Sequence, residues 1–265
     1  MLEINQIYLD LCKQVLYGDK VGNTYEARNV KVTLNDINHN IVGIRDISMF
    51  YLLGEWMWYL SGRNDVDFIS VFGKMWRGLS DDGKTNNSAY GYLMQKAFGF
   101  NQISKIIELL KKDPDSRRAV ININTPNVNV IETKDEPCTI ALQYFIRNGK
   151  LHATTVMRSN DLFLGFPYDV AFFTELQKMI AFRVGTEYGT YTHIANSLHV
   201  YDRDIDKIKA IKSNPVEKNY TVNRENFHSN YDKIVSYIDK NMQTFGLKEQ
   251  IKDLFNKYNI IEHEN

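Results

Sequence analysis

Two adjacent residues, Asn148-Gly149, constrain this chain more than any others. They separate two stretches, Thr139–Ile146 and Leu151–Val156, whose β-branched and aromatic residues read as strands. Asn-Gly is a strong two-residue hairpin signal because both of its positions tolerate positive φ. Such a loop pairs Arg147 with Lys150, and counting outward sets Cys138 opposite Ser159, with Arg158 one position away. One bulge would reverse the face on which Arg158 points. An arginine near a cysteine favours the thiolate, the nucleophilic form. The competing role for Cys138 is that of a small buried hydrophobe, the usual fate of a lone cysteine.

Around the hairpin, helical and strand patterns alternate without strict βαβ spacing, which predicts a single α+β domain over residues 1–265. Residues 1–17, 46–61 and 101–112 carry helical periodicity, and Ser61-Gly62 and Asp113-Pro114 supply stops. A buried helix is expected over Val170–Phe182. Strands are expected at residues 30–34, Ala119–Asn124, Leu198–Tyr201 and near Tyr220–Val222.

Composition narrows the function classes. Lys+Arg and Asp+Glu both total 32, so the net charge is zero. That balance argues against a protein whose affinity comes from coating nucleic-acid phosphates. Two cysteines, Cys12 and Cys138, are too few for a disulfide framework and fit a reducing compartment. The N-terminus lacks the apolar core of a signal peptide, and the apolar stretch at 47–60 falls short of the ~20 residues of a membrane span, so a cytoplasmic location is expected. The six histidines show no paired metal spacing with cysteine, and no metal is expected.

Several other residues stand out. Glu55 is the only charge between Asp46 and Arg63, among Tyr51, Trp56, Trp58 and Tyr59. It is either a solvent-edge glutamate or an acid whose surroundings raise its pKa for proton transfer. Arg117 and Arg118 follow Asp113-Pro114-Asp115-Ser116 and form either a solvated basic turn or a phosphate grip. His199 and Tyr201 share one face of a strand and suit sugar hydroxyls or a core role equally well. Asp169, just before the apolar helix, reads as its N-cap.

Taken together and in order, these features resemble the thymidylate synthase superfamily. The resemblance rests on Glu55 in its aromatic helix, Tyr90-Gly91, Asp115-Ser116-Arg117-Arg118, Pro137-Cys138, Arg158-Ser159-x-Asp161 with Gly165 four residues on, and His199-x-Tyr201. It covers roughly residues 1–205. It implies an α+β fold whose mixed sheet forms a homodimer interface, with helices on the other face. It also implies that Arg117 and Arg118 reach the partner's nucleotide phosphate. Within the superfamily, Thr139 after Cys138, the stretches at 157–161 and 197–201, and Asp169 in place of the uracil-reading asparagine are more similar to the deoxycytidylate-type pyrimidine hydroxymethylases.

The resemblance implies covalent catalysis with 5,10-methylenetetrahydrofolate as one-carbon donor. Cys138 would add to C6 of a pyrimidine nucleotide, while Glu55 and Tyr90 would serve water and proton transfers. Arg158, Ser159, Arg117 and Arg118 would bind phosphate. His199 and Tyr201 would bind the sugar, and Asp161, Gly165 and Trp76 would bind the folate. Cytosine offers an N3 acceptor beside an amino donor, which a protonated carboxyl at Asp169 matches. The chain departs from the family in two places. It has no N-terminal Arg-Thr-Gly, Arg28 being the nearest phosphate candidate, and its C-terminus is polar instead of apolar. The rival functions are a methylating synthase acting on dUMP or dCMP and a non-catalytic nucleotide-binding homologue.

Overall fold

The computed structural model describes residues 1–125 and 132–264. Its contacts gather into two compact units, each assembled from separated stretches of chain. The first holds Met1–Asp46, Phe98–Pro126 and Cys138–Glu217, and the second Ile47–Ala97, Asn127–Pro137 and Lys218–Asn265.

The first unit is built on a seven-stranded mixed sheet. Its strands are β1 (Asp19–Val21), β2 (Thr24–Leu34), β3 (Ala119–Asn122), β4 (Thr139–Arg147), β5 (Lys150–Met157), β6 (Asn160–Asp161) and β7 (Glu187–Tyr201). The order is β1-β2-β7-β5-β4-β3, with β6 also paired to β7. β7 runs parallel to β5 and β6, and the other pairs are antiparallel. The expected α+β class with a mixed sheet is therefore what the chain adopts. Asn148 and Gly149 form the predicted turn, with φ of 52° and 73°.

Three helices cover the sheet: Glu3–Leu16 packs on β2, Gln102–Lys112 on β3, and Phe166–Val184 on β5 and β7. Alternate strand residues (Leu142 and Tyr144, Leu151 and Ala153, Tyr191 and His193) are buried, as the period of two requires. The residues between them, including Phe145, Val156 and Ile194, are only half-buried in the single chain.

Two strands run well past their expected limits. β2 begins at Thr24 instead of Val30, and β7 extends back from Leu198 to Glu187. β2 and β7 pair along most of their length, from Thr24↔Tyr201 to Leu34↔Tyr191, and this ladder stabilises polar stretches that have weak strand character of their own. β3 is shorter than expected and ends at Asn122.

The second unit is mainly helical. Its central helix, Met49–Leu60, begins where Ser48 Oγ accepts from the backbone N–H of Tyr51 at 3.2 Å. It is buried on nearly every side, as an all-round apolar helix must be. The helix Tyr90–Gln95 lies so close to it that a Cβ on Gly91 would sit 1.9 Å from the Tyr59 carbonyl oxygen, which accounts for a glycine after Tyr90. Arg224–Asn241, Leu247–Lys257 and the antiparallel pair β8 (Asn219–Val222) and β9 (Ile261–Glu264) complete the unit. Among the described residues no helix is long and apolar enough to cross a membrane.

Candidate active site

The hairpin carries Cys138 and Arg158 into the first unit, but not in the register that uninterrupted counting gives. From the turn outward the ladder runs Arg147↔Lys150 to Ala141↔Val156, then shifts by one residue so that Thr139 faces Met157. The bulge at Ile140 moves Cys138 from the expected Ser159 to Arg158, whose backbone N–H donates to the Cys138 carbonyl at 2.8 Å. Cys138 is half-buried. Cys12 is fully buried in the first helix, and burial pushes its thiol up to about 12, so it stays protonated and inert.

Beyond Arg158 the chain places its motif residues around the start of the helix Phe166–Val184. Ser159 Oγ lies 3.4 Å from His199 Nδ1, and the His199 and Tyr201 rings meet edge to face at 5.3 Å on one side of β7. Asp161 Oδ1 accepts from the backbone N–H groups of Phe163 and Leu164 at 2.8 and 2.9 Å, closing a tight turn. Burial raises the Asp161 pKa, opposed by those amides and by the nearby His199.

Asp169 is not the helix N-cap. The helix starts four residues earlier than expected, with Gly165 at the cap position and Pro167 in the first turn, where its missing N–H costs nothing. Asp169 therefore sits inside the first turn and is partly accessible. Its Oδ2 accepts from Asn160 Nδ2 at 2.8 Å. Burial pushes the carboxyl up to about 7; the Asn160 hydrogen bond opposes this and the charge of Asp161 adds to it.

Behind this carboxyl lies a buried chain of polar side chains that sequence reasoning missed. His193 Nε2 is 3.0 Å from Asn160 Oδ1, and its Nδ1 is 2.9 Å from the Tyr191 hydroxyl. Burial holds His193 neutral by lowering its pKa to about 3. Gly165 closes over the pair: a Cβ there would meet Asn160 Nδ2 at 2.9 Å and Asp169 Oδ2 at 3.2 Å. The available signal was the alternation of Tyr191, His193 and Ala195 along β7, which puts the imidazole on the buried face. Arg45 also escaped notice. It is buried, with its guanidinium over the rings of Phe163 at 4.6 Å and Tyr168 at 5.2 Å.

The remaining predicted residues of this unit lie on its surface. Arg28 is exposed on β2, 3.7 Å from Asp19. Arg117 and Arg118 are exposed before β3, and Arg118 lies 3.5 Å from Asp113. Glu55, Tyr90 and Trp76 belong to the second unit. There Glu55 is buried and accepts from the Tyr51 hydroxyl at 2.7 Å, and that hydroxyl accepts from Trp76 Nε1 at 3.1 Å. Glu55 is thus an interior acid, not a solvent-edge residue. Trp76 is buried against Trp58, and the Tyr90 ring stacks on Tyr59 at 5.4 Å. Among the described residues no His/Cys/Asp/Glu group could hold a metal ion.

The thymidylate synthase family model matches residues 6–252. The chain is 33% identical to a deoxyuridylate hydroxymethyltransferase of Bacillus phage SP01 over 241 residues, covering 83% of this chain and 62% of that protein. It is 35% identical to a deoxyuridylate hydroxymethyltransferase of Pseudomonas phage M6 over 167 residues, covering 62% of this chain and 48% of that protein. A putative thymidylate synthase of Methanocaldococcus jannaschii is 42% identical over 139 residues, covering 48% of this chain and 62% of that protein. In each case the aligned part is less than two thirds of the relative's own length. With the mixed sheet and the Cys138–Arg158 hairpin beside it, the match over residues 6–252 places this chain in the thymidylate synthase family.

Proposed function

We propose that this protein hydroxymethylates C5 of a cytosine nucleotide, dCMP or CMP, through a covalent bond between Cys138 and C6. The observation that carries the reading is the Asp169 carboxyl, held by Asn160 at 2.8 Å and raised by burial to about 7. A neutral carboxyl donates to N3 and accepts from the amino group of cytosine, a pairing that a carboxylate cannot make.

The thiolate of Cys138 adds to C6, and the charge this places on the ring is relieved through N3 and the amino group at Asp169. C5 becomes nucleophilic and takes the methylene unit, and loss of the C5 proton then expels tetrahydrofolate as the leaving group. Water adds to the resulting exocyclic methylene, and expulsion of Cys138 from C6 frees the hydroxymethyl nucleotide. 5,10-Methylenetetrahydrofolate supplies the one-carbon unit. Asp161 fits a pterin: two backbone amides take Oδ1, and Oδ2 remains for ring N–H donors. Arg158 and Ser159 take the nucleotide phosphate, and His199 and Tyr201 take the sugar. For Glu55 and Tyr90 the supporting observation is local: a buried acid on a Tyr51–Trp76 hydrogen-bonded chain suits the ordering of water and protons.

The chain acts as a single catalytic domain, and the half-buried face carrying Phe145, Val156 and Ile194 is the homodimer surface. Arg117 and Arg118, exposed in one chain, then act on the partner's phosphate.

A second reading, hydroxymethylation of dUMP, is favoured by the names of the two phage relatives. Tritium release from C5 of dCMP, CMP and dUMP, measured side by side with the folate, separates the two. Release from a cytosine nucleotide with a hydroxymethyl product supports the proposal. Release from dUMP alone replaces it with the second reading, and dihydrofolate forming in step with product replaces hydroxymethylation with methylation.

A further inference from the structure

A neutral carboxyl is by itself an ambiguous reader of pyrimidines. With its proton on the oxygen facing N3 it matches cytosine. With the proton on the oxygen facing the 4-position it donates to O4 and accepts from N3–H, and so matches uracil. Whatever selects cytosine must therefore fix which oxygen holds the proton.

Asp169 has such a device behind it. Asn160 presents its amide nitrogen to Asp169 Oδ2 at 2.8 Å, which makes Oδ2 an acceptor and leaves Oδ1 as the proton's place. The amide is held in that orientation because its oxygen faces His193 Nε2 at 3.0 Å, which must then donate. A neutral imidazole donating from Nε2 accepts at Nδ1, and the Tyr191 hydroxyl lies there at 2.9 Å to supply the proton. All three residues are buried, so water does not compete for these bonds. The opposite polarity would turn the Asn160 oxygen to Asp169 and take up the carboxyl proton itself. Gly165 leaves no room on the open side of the pair, where a Cβ would lie 2.9 Å from Asn160 Nδ2 and 3.2 Å from Asp169 Oδ2.

We infer that Tyr191, His193 and Asn160 are a positioning relay that fixes the proton of Asp169 on Oδ1 and so decides which pyrimidine the carboxyl accepts. The inference rests on the reading of Asp169 as the base-recognising residue. None of the three need touch substrate; they act through Asp169. Freed from the relay, the carboxyl carries its proton on either oxygen, and discrimination relaxes by gain of the wrong base and not by general loss of activity.

The test compares kcat/KM for dCMP and dUMP in the wild type, Asn160→Ala, His193→Leu and His193→Gln, each checked for folding by its melting transition. Asn160→Ala and His193→Leu should bring the ratio about tenfold closer to unity by raising turnover of the disfavoured base. His193→Gln, which keeps a donor, should recover much of the discrimination. A ratio unchanged in folded Asn160→Ala and His193→Leu would overturn the relay. A wild type that prefers dUMP would instead overturn the cytosine reading, and the relay would still be judged by whether the ratio relaxes. If the variants do not fold, the imidazole tautomer of the intact protein decides. Long-range proton–nitrogen correlation should place the His193 proton on Nε2, and a proton on Nδ1 would overturn the proposal.

Discussion

The backbone N–H of Arg158 donates to the carbonyl of Cys138 at 2.8 Å, one pairing step from where an uninterrupted hairpin would put it. The bulge at Ile140 makes the difference, and it places the arginine backbone directly across from the proposed nucleophile. Cys138→Ala should abolish turnover while leaving nucleotide binding measurable by calorimetry. Activity close to wild type would remove the covalent mechanism. Cys12→Ala, deep in the first helix, should cost about 1 kcal/mol of stability and leave chemistry intact.

Asp169→Asn should shift base preference toward dUMP. An amide offers an oxygen and an NH₂, which match N3–H and O4 of uracil. A mispaired buried edge costs about 1–3 kcal/mol, or roughly one to two orders of magnitude in the ratio of kcat/KM. Steady-state kinetics on both nucleotides reads this directly, and a ratio unmoved by the substitution would separate Asp169 from base choice.

The same carboxyl predicts a pH dependence of stability. Its pKa rises from 3.8 in the unfolded chain to about 7 in the folded one. Between those values the native state keeps a proton that the unfolded state has lost, so this group makes unfolding easier as pH rises. Asp169→Asn removes that slope. The variant should match the wild type near pH 4 and exceed it at pH 8 by about 1–3 kcal/mol in urea unfolding.

His193 contributes in the opposite direction. Its pKa falls from 6.5 to about 3 on burial. As pH drops through that window the unfolded chain gains a proton that the native state refuses, and stability is lost. His193→Gln should therefore unfold less readily than the wild type in mild acid, measured as a shallower loss of melting temperature below pH 6.5.

Hybrid dimers test the role of the exposed arginine pair. Mixing Arg118→Ala with Cys138→Ala should regain activity if each Arg118 serves its neighbour, because one site in the hybrid then holds both residues. Absence of recovery after verified subunit exchange would confine Arg118 to its own chain.

Much of this fold could be read from local chemistry. Asn148-Gly149 fixed the hairpin, Ser61-Gly62 ended a helix, and the isolated acid Glu55 proved to be interior. What escaped was set by tertiary pairing. No local pattern announces the Ile140 bulge, because it arises where β4 adjusts between β3 and β5. The length of β7 depends on β2 and β5, and with it the burial of His193. Asp169 looks like a cap because the apolar run starts at Val170, whereas Gly165 and Pro167 begin the helix earlier. That shift of one turn puts the carboxyl beside Asn160.

The most direct test of the central claim, that a neutral Asp169 reads cytosine, is the ratio of kcat/KM for dCMP over dUMP measured from pH 5.5 to 8.5. Titrations shared by both substrates cancel in the ratio. The account predicts a ratio that favours dCMP and falls as pH rises through about 7, with the fall absent in Asp169→Asn. A ratio that favours dUMP throughout, or one that rises with pH, would contradict it.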